Sequence, residues 1–230
     1  MHDCIIDGQI PNTIDGTFYR VAADTLHVPK HPKVISFPAC LIDQDVPFNG
    51  DGAIAAFRIR EGGVDFRTKF VRTEKFVRER AARRALVGQY RNPFTDDPAV
   101  VGTNRTTANT NVVWLYGHLL ALKEDALPYE LDPHTLETIG TYDFAKQYTA
   151  PTFTAHPKVD PSNGETICYG YETKGLGSKD VKYVLFDGKG KKIEDFDFEA
   201  PYCGLMHDVA FTANFVIFQI YPRIFLSFHI

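Results

Sequence analysis

The sequence predicts an all-β fold built from propeller-type blades with one short helical insertion, and three observations carry that prediction. First, residues 57–67, 129–139 and 184–193 share one shape: an alternating strand, a tight turn of Gly, Asp or Pro, and a second strand. Second, the later two repeat at a blade-like interval, with Tyr129 and Tyr183 lying 54 positions apart, while a helix-like stretch separates the first from them. Third, a histidine follows each of the later hairpins at the mouth of an apolar alternating run. His156 comes 12 residues after Phe144, and His207 comes 9 after Phe198. In a propeller the strand after an outer hairpin is the innermost strand of the next blade, so both histidines are expected near the axis.

In chain order, Pro11, Asn12, Asp15 and Gly16 supply turn chemistry before a short strand at 17–21. Pro29, Pro32 and Pro38 then predict an irregular connection, and Pro47-Phe48-Asn49-Gly50-Asp51-Gly52 a tight turn feeding a strand over 53–59. Residues 71–87 hold no Gly or Pro. Val77, Ala81 and Ala85 fall four apart, with Lys75, Glu79 and Arg83 on another face, so an exposed amphipathic helix with charge pairs at helical spacing is expected. From Arg67 to Arg84 there are eight basic and two acidic side chains. We read them as a solvated helix face anchored by Phe70 and Phe76 rather than as a docking patch. The apolar stretch 209–230 is broken by Pro222 and Arg223 and reads as buried strands, with no transmembrane segment.

Composition narrows the function classes. The 230 residues are 44% hydrophobic and 23% charged with a net charge of −4, those of a globular protein with no general attraction to nucleic acid. Cys4, Cys40, Cys168 and Cys203 form no CxxC pair, and no basic-then-apolar leader opens the chain, so reduced thiols and a cytoplasmic location are expected. The segment 174–179 lacks phosphate-loop spacing and reads as a hairpin tip. No GxSxG or HExxH occurs. His2, His27, His31, His118, His134 and His229 fall in irregular, turn or terminal segments and are expected to be exposed. For His156 and His207 the residues leave two readings open: core histidines bonded to loop carbonyls, or ligands of a metal that imidazole suits, such as iron, zinc, copper or nickel.

Four motifs in order extend this reading: Phe48-Asn49-Gly50-Asp51-Gly52, Leu120-Ala121-Leu122-Lys123-Glu124, Phe153-Thr154-Ala155-His156-Pro157-Lys158-Val159-Asp160, and Met206-His207-Asp208. Together they resemble the carotenoid cleavage dioxygenase family, and within it the stilbene-cleaving lignostilbene dioxygenases, over about residues 8–221. The resemblance implies a seven-bladed propeller with a non-haem Fe(II) on its axis held by four histidines. His156 and His207 match the first and second of these. Glu124 matches a carboxylate that orients a ligating imidazole, that of His207, and Thr110 a residue crowding an open coordination position. Tyr90 and Lys123 match groups that hold a substrate's 4-hydroxyl, and Phe48 an aromatic packed on its ring. Strand alternation would send Lys123 and Glu124 to opposite sides.

The activity so implied is cleavage by O2 of a C=C bond in a small phenolic, apolar substrate, a hydroxystilbene or phenylpropanoid, giving two aldehydes. A carotenoid or apocarotenoid substrate is the alternative. Family members run to roughly twice this length, and the third and fourth histidines are expected downstream of residue 230. Residues 1–230 are therefore read as a single incomplete propeller domain, the N-terminal part of such an enzyme, with a catalytically inactive fragment as the competing expectation.

Overall fold

The structure is a computed structural model, and it describes residues 3–30, 33–36, 40–43 and 46–222. Contacts divide the chain into two compact units, one holding residues up to 122 together with 128–141, the other holding 123–127 and the residues from 142 onward.

In the first unit, β1 (Gly16–Asp24) pairs antiparallel with β4 (Asp51–Arg60), which pairs with β5 (Gly63–Phe70). Between β1 and β4 lie β2 (Lys33–Ser36), β3 (Cys40–Asp43) and the single turn α1 (Val46–Asn49). Residues 25–30 around Pro29 are irregular, as the prolines suggest, and β2 and β3 then pair antiparallel; Pro32 and Pro38 lie outside the described residues, and one helical turn replaces the expected tight turn at 47–50. The β4–β5 hairpin closes through Glu61 and Gly62, both at positive φ (52° and 76°), the twist a two-residue hairpin loop needs. Gly52 is required for a different reason: a Cβ there would lie 2.3 Å from the Ala108 carbonyl oxygen, against which its own N–H donates to Thr107 O at 2.8 Å.

The helix α2 spans Glu74–Ala82, shorter than the sequence suggests. The Thr73 side chain caps its start by accepting from Phe76 N–H, and Arg83 in the left-handed region ends it. Its faces are also the reverse of those expected. Val77 is exposed while Lys75 and Glu79 are buried, because Lys75 Nζ donates to Asp51 at 2.9 Å and to Glu79 at 2.8 Å. The Glu79 carboxylate further accepts from Leu86 N–H and Val87 N–H. Phe76 is buried and stacks on Phe70 at 5.2 Å, as an anchor should.

The same unit contains a four-stranded antiparallel meander, β6 (Asn111–Leu115), β7 (His118–Leu122), β8 (Tyr129–Leu131) and β9 (Thr138–Thr141). Its first hairpin again turns through two positive-φ residues, Tyr116 and Gly117. Ile54, Ala56, Val71, Leu119, Ala121 and Leu131 form the core here.

The second unit holds another four-stranded meander, β10 (Lys158–Val159), β11 (Thr166–Tyr171), β12 (Asp180–Phe186) and β13 (Lys192–Glu199). Phe144 stacks on both Phe153 and Phe186, at 5.1 and 4.9 Å, behind it. Two short ribbons follow: β14 (Gly204–Leu205) pairs with β17 (Tyr221–Pro222), and β15 (Val209–Phe211) with β16 (Val216–Phe218). Residues 209–230 were expected to be buried strands; of these, residues 223–230 lie outside the described residues, and the rest hold β15, β16 and β17. They are strands, but only alternate side chains turn inward: Val216, Phe218 and Ile220 pack on the cluster around Tyr169 and Met206, while Phe215, Ile217 and Tyr221 are exposed. Among the described residues no helix is long and apolar enough to cross a membrane.

Candidate metal centre

His156 sits two residues before β10, and His207 sits in the short link between β14 and β15. Their Nε2 atoms face each other at 3.1 Å, with ring centroids 4.6 Å apart and planes at 74°. Behind His207, its Nδ1 meets Glu124 Oε2 at 2.8 Å, and the Tyr171 hydroxyl donates to the other carboxylate oxygen at 3.1 Å. A carboxylate on Nδ1 holds the proton there and leaves the Nε2 lone pair free to ligate. Burial, then the neighbouring His207, holds His156 below its ordinary pKa and so keeps it in the neutral form that a metal needs.

Backbone bonds set the His156 loop. Its N–H donates to the Thr154 hydroxyl at 2.9 Å, and Thr154 N–H donates to the Tyr169 carbonyl at 2.6 Å. The Tyr169 hydroxyl donates to the carbonyl of Met206, next to His207, at 2.7 Å. Lys158 pairs with Asp208 at 2.7 Å, tying the residues that follow the two histidines. Burial raises the Asp208 carboxyl, but hydrogen bonds from Lys158 and Val209 N–H and the Lys158 charge outweigh it and leave the group below its ordinary value.

Two converging imidazole Nε2 atoms at this spacing fit a shared cation. Nitrogens on adjacent corners of an octahedron with bonds of about 2.1 Å lie roughly 3.0 Å apart, and the observed separation is 3.1 Å. Among the described residues, no group of three or more His, Cys, Asp or Glu side chains gathers as a metal site, so these supply two imidazoles and no more.

Lys123 and Glu124 do not occupy alternate positions of a strand, because β7 stops at Leu122 and the chain turns. Both are nevertheless buried, and they separate by partner: Lys123 lies 3.5 Å from the Asp125 carboxylate, Glu124 against His207. In the other unit, Phe48 and Tyr90 are brought together as a stacked pair, with centroids 5.0 Å apart and planes at 15°. Phe48 remains more than half exposed at 54%. Thr110 precedes β6; its N–H donates to Leu122 O and its hydroxyl to Asn109 Oδ1 at 3.2 Å, while the Asn109 amide holds Gly50 O at 2.7 Å.

Tyr169, Tyr171 and Thr154 escaped the sequence reading. The one available signal was two tyrosines at strand period in a run without charge, which is equally the mark of a plain core strand. Two other histidines are less exposed than expected: His27 is half-buried, and His118 is half-buried with Nδ1 2.6 Å from Glu130. His134 is exposed. His2, His31 and His229 lie outside the described residues.

The family described as RPE65, retinal pigment epithelial membrane protein, matches residues 2–228. The chain belongs to this family. It is 52% identical over 217 residues to resveratrol cleavage oxygenase 1 of Aspergillus fumigatus, which covers 94% of this chain and 41% of that protein. The structure resembles the lignostilbene dioxygenase of Pseudomonas brassicacearum with a TM-score of 0.85 and 41% identity, over 95% of this chain and 43% of that one. It also resembles a cobalt-substituted ACO of Synechocystis, with a TM-score of 0.76 and 29% identity, over 95% of this chain and 45% of that one. The likeness to carotenoid oxygenases read from the motifs therefore holds. The all-β fold is part of a β-propeller, and its four-stranded meanders are blades. The chain spans about two fifths of the length of the curated relatives it matches, 39% and 41% for two of them.

Proposed function

We propose that the chain supplies two of the metal ligands of a non-haem Fe(II)-dependent dioxygenase that splits the C=C bond of a hydroxystilbene or related phenylpropanoid into two aldehydes. The observation that carries this is the His156–His207 pair, with Nε2 atoms 3.1 Å apart and the Glu124 carboxylate behind one ring. The 52% identity to a resveratrol cleavage oxygenase supports a phenolic substrate, and the weaker 29% identity to the Synechocystis ACO makes an apocarotenoid the second choice. The 41% coverage of the resveratrol relative supports reading residues 1–230 as one incomplete propeller domain, completed by further blades and histidines from outside it.

Bound Fe(II) would supply the activation of O2. The chain's own side chains do the rest of the preparation. The stacked Phe48–Tyr90 pair offers a flat aromatic face to a phenol ring, and the Tyr90 hydroxyl a partner for its 4-hydroxyl. Lys123, a buried cation, would favour the phenolate by charge, and loss of the phenol proton pushes electron density through the ring to the conjugated alkene. The motif resemblance supports Thr110, whose hydroxyl donates to Asn109, as the residue that would crowd an open coordination position. One O2 supplies one oxygen to each carbon of the broken bond, so no external reductant is needed.

The test is Fe(II) content and product analysis. Iron should bind and be lost in His156→Ala, and resveratrol should yield two aldehydes under air in a protein that carries these residues with the remaining ligands. Such a protein leaving 4-hydroxystilbenes intact while cleaving an apocarotenoid would overturn the phenolic assignment.

A further inference from the structure

We propose that Tyr171 and Tyr169 of β11 are positioning residues for the imidazole pair, Tyr171 by clamping the Glu124 carboxylate and Tyr169 by holding both histidine loops to one strand. The inference rests on His156 and His207 being ligands and deepens that reading. Strand period puts the two tyrosines on one face, and both are fully buried. Glu124 has each oxygen engaged, one by the Tyr171 hydroxyl and the other by His207 Nδ1, so the carboxylate cannot swing without breaking a buried bond. Remove the Tyr171 hydroxyl and one oxygen loses its donor; the carboxylate is then free to rotate, and the proton on His207 is no longer confined to Nδ1.

Tyr169 acts at the other level. Its carbonyl receives Thr154 N–H, whose hydroxyl receives His156 N–H; its own hydroxyl donates to Met206 O beside His207. One residue therefore spans the two loops that aim the Nε2 atoms. Gly170 between the tyrosines lets the strand lie directly on the His156 loop, since a Cβ there would come within 2.1 Å of Thr152 O. Partners at this remove from a metal typically change its affinity by about 10- to 100-fold.

The experiment uses the full chain labelled with 15N-histidine, in wild type, Tyr171→Phe, Tyr169→Phe and, as a control for loss of a buried phenol elsewhere in the blade, Tyr183→Phe. Ring 15N shifts in metal-free protein should give His207 as a single Nδ1–H tautomer in wild type, Tyr169→Phe and Tyr183→Phe, and as a tautomer mixture in Tyr171→Phe. Co(II) titration, followed by broadening of the His156 and His207 ring signals, should show affinity lowered by about tenfold or more in Tyr171→Phe and Tyr169→Phe and unchanged in Tyr183→Phe. A Tyr171→Phe chain with the wild-type His207 tautomer, or a Tyr169→Phe chain with wild-type Co(II) affinity, overturns the corresponding role. If wild type shows no broadening at either histidine, the ligand reading fails, while the tautomer measurement still decides whether Tyr171 positions Glu124.

Discussion

Replacing Lys75 by methionine should destabilise the chain by about 3 kcal/mol at pH 8, near the low end of the roughly 3–5 kcal/mol for breaking a buried ion pair. The methionine keeps most of the stem's volume and removes only the charge. Asp51, Lys75 and Glu79 are each no more than 5% exposed, so neither carboxylate left behind can turn to water. Glu79 keeps its bonds from Leu86 N–H and Val87 N–H, which is why the lower figure is used. Protonation supplies the relief. In the wild type, burial raises the Asp51 carboxyl above 3.8 even against the lowering effect of Lys75. A group with a raised native pKa binds its proton more tightly folded than unfolded, so its contribution to stability is present below 3.8 and is lost as pH rises through the folded value. Without Lys75 that folded value climbs further, and the loss must shrink as pH falls. Urea unfolding of both proteins at pH 8 and pH 5 measures this directly. A loss under about 1 kcal/mol at pH 8, or one that grows at pH 5, would refute the view that Lys75 neutralises two buried carboxylates.

Two further outcomes follow from burial and from the substrate assignment. Cys168 is fully buried and its thiol pushed far up by desolvation, so it should stay silent to a thiol reagent in native protein while the partly exposed Cys4 and Cys203 react; urea should release it. Lys123→Ala, in protein carrying the remaining ligands, should lower cleavage of a 4-hydroxystilbene at least about tenfold more than cleavage of an apocarotenoid that lacks the phenol, and equal losses would remove Lys123 from phenol recognition.

Helix α2 connects stability to the proposed substrate side. Lys75 joins the helix to Asp51, two residues after Asn49, and Glu79 joins it to Leu86 and Val87, while the Asn49 amide donates to Gly88 O at 2.6 Å. The chain segments bearing Phe48 and Tyr90 thus share one buried polar anchor. Their stacking at 5.0 Å is a product of that anchor as much as of the rings' own attraction.

The hairpins were legible in the sequence because their causes are local. Alternation, tight turns bearing Gly, Asp or Pro such as Glu61-Gly62, and a 54-residue interval are all properties of neighbouring residues, whereas the β6–β7 hairpin through Tyr116 and Gly117 is not among those the repeat marks. His156 and His207 stood out by their place in that repeat, and motif resemblance named Glu124 as their support. The faces of α2 could not be read. Lys75 and Glu79 four apart look the same on a solvated helix as over a buried Asp51, and only the fold brings Asp51 there. Glu124 and His207 are 83 positions apart, and Tyr169 and Met206 are 37 apart, so no local pattern encodes their contact. The sequence by itself marked most of the strands and repeated hairpins, the family, and His156 and His207 as candidate ligands. Tertiary structure alone decided which hydroxyls bond to Glu124 and to the carbonyl beside His207, because hydrogen-bond partners are chosen by where strands stack and not by where residues sit in the chain.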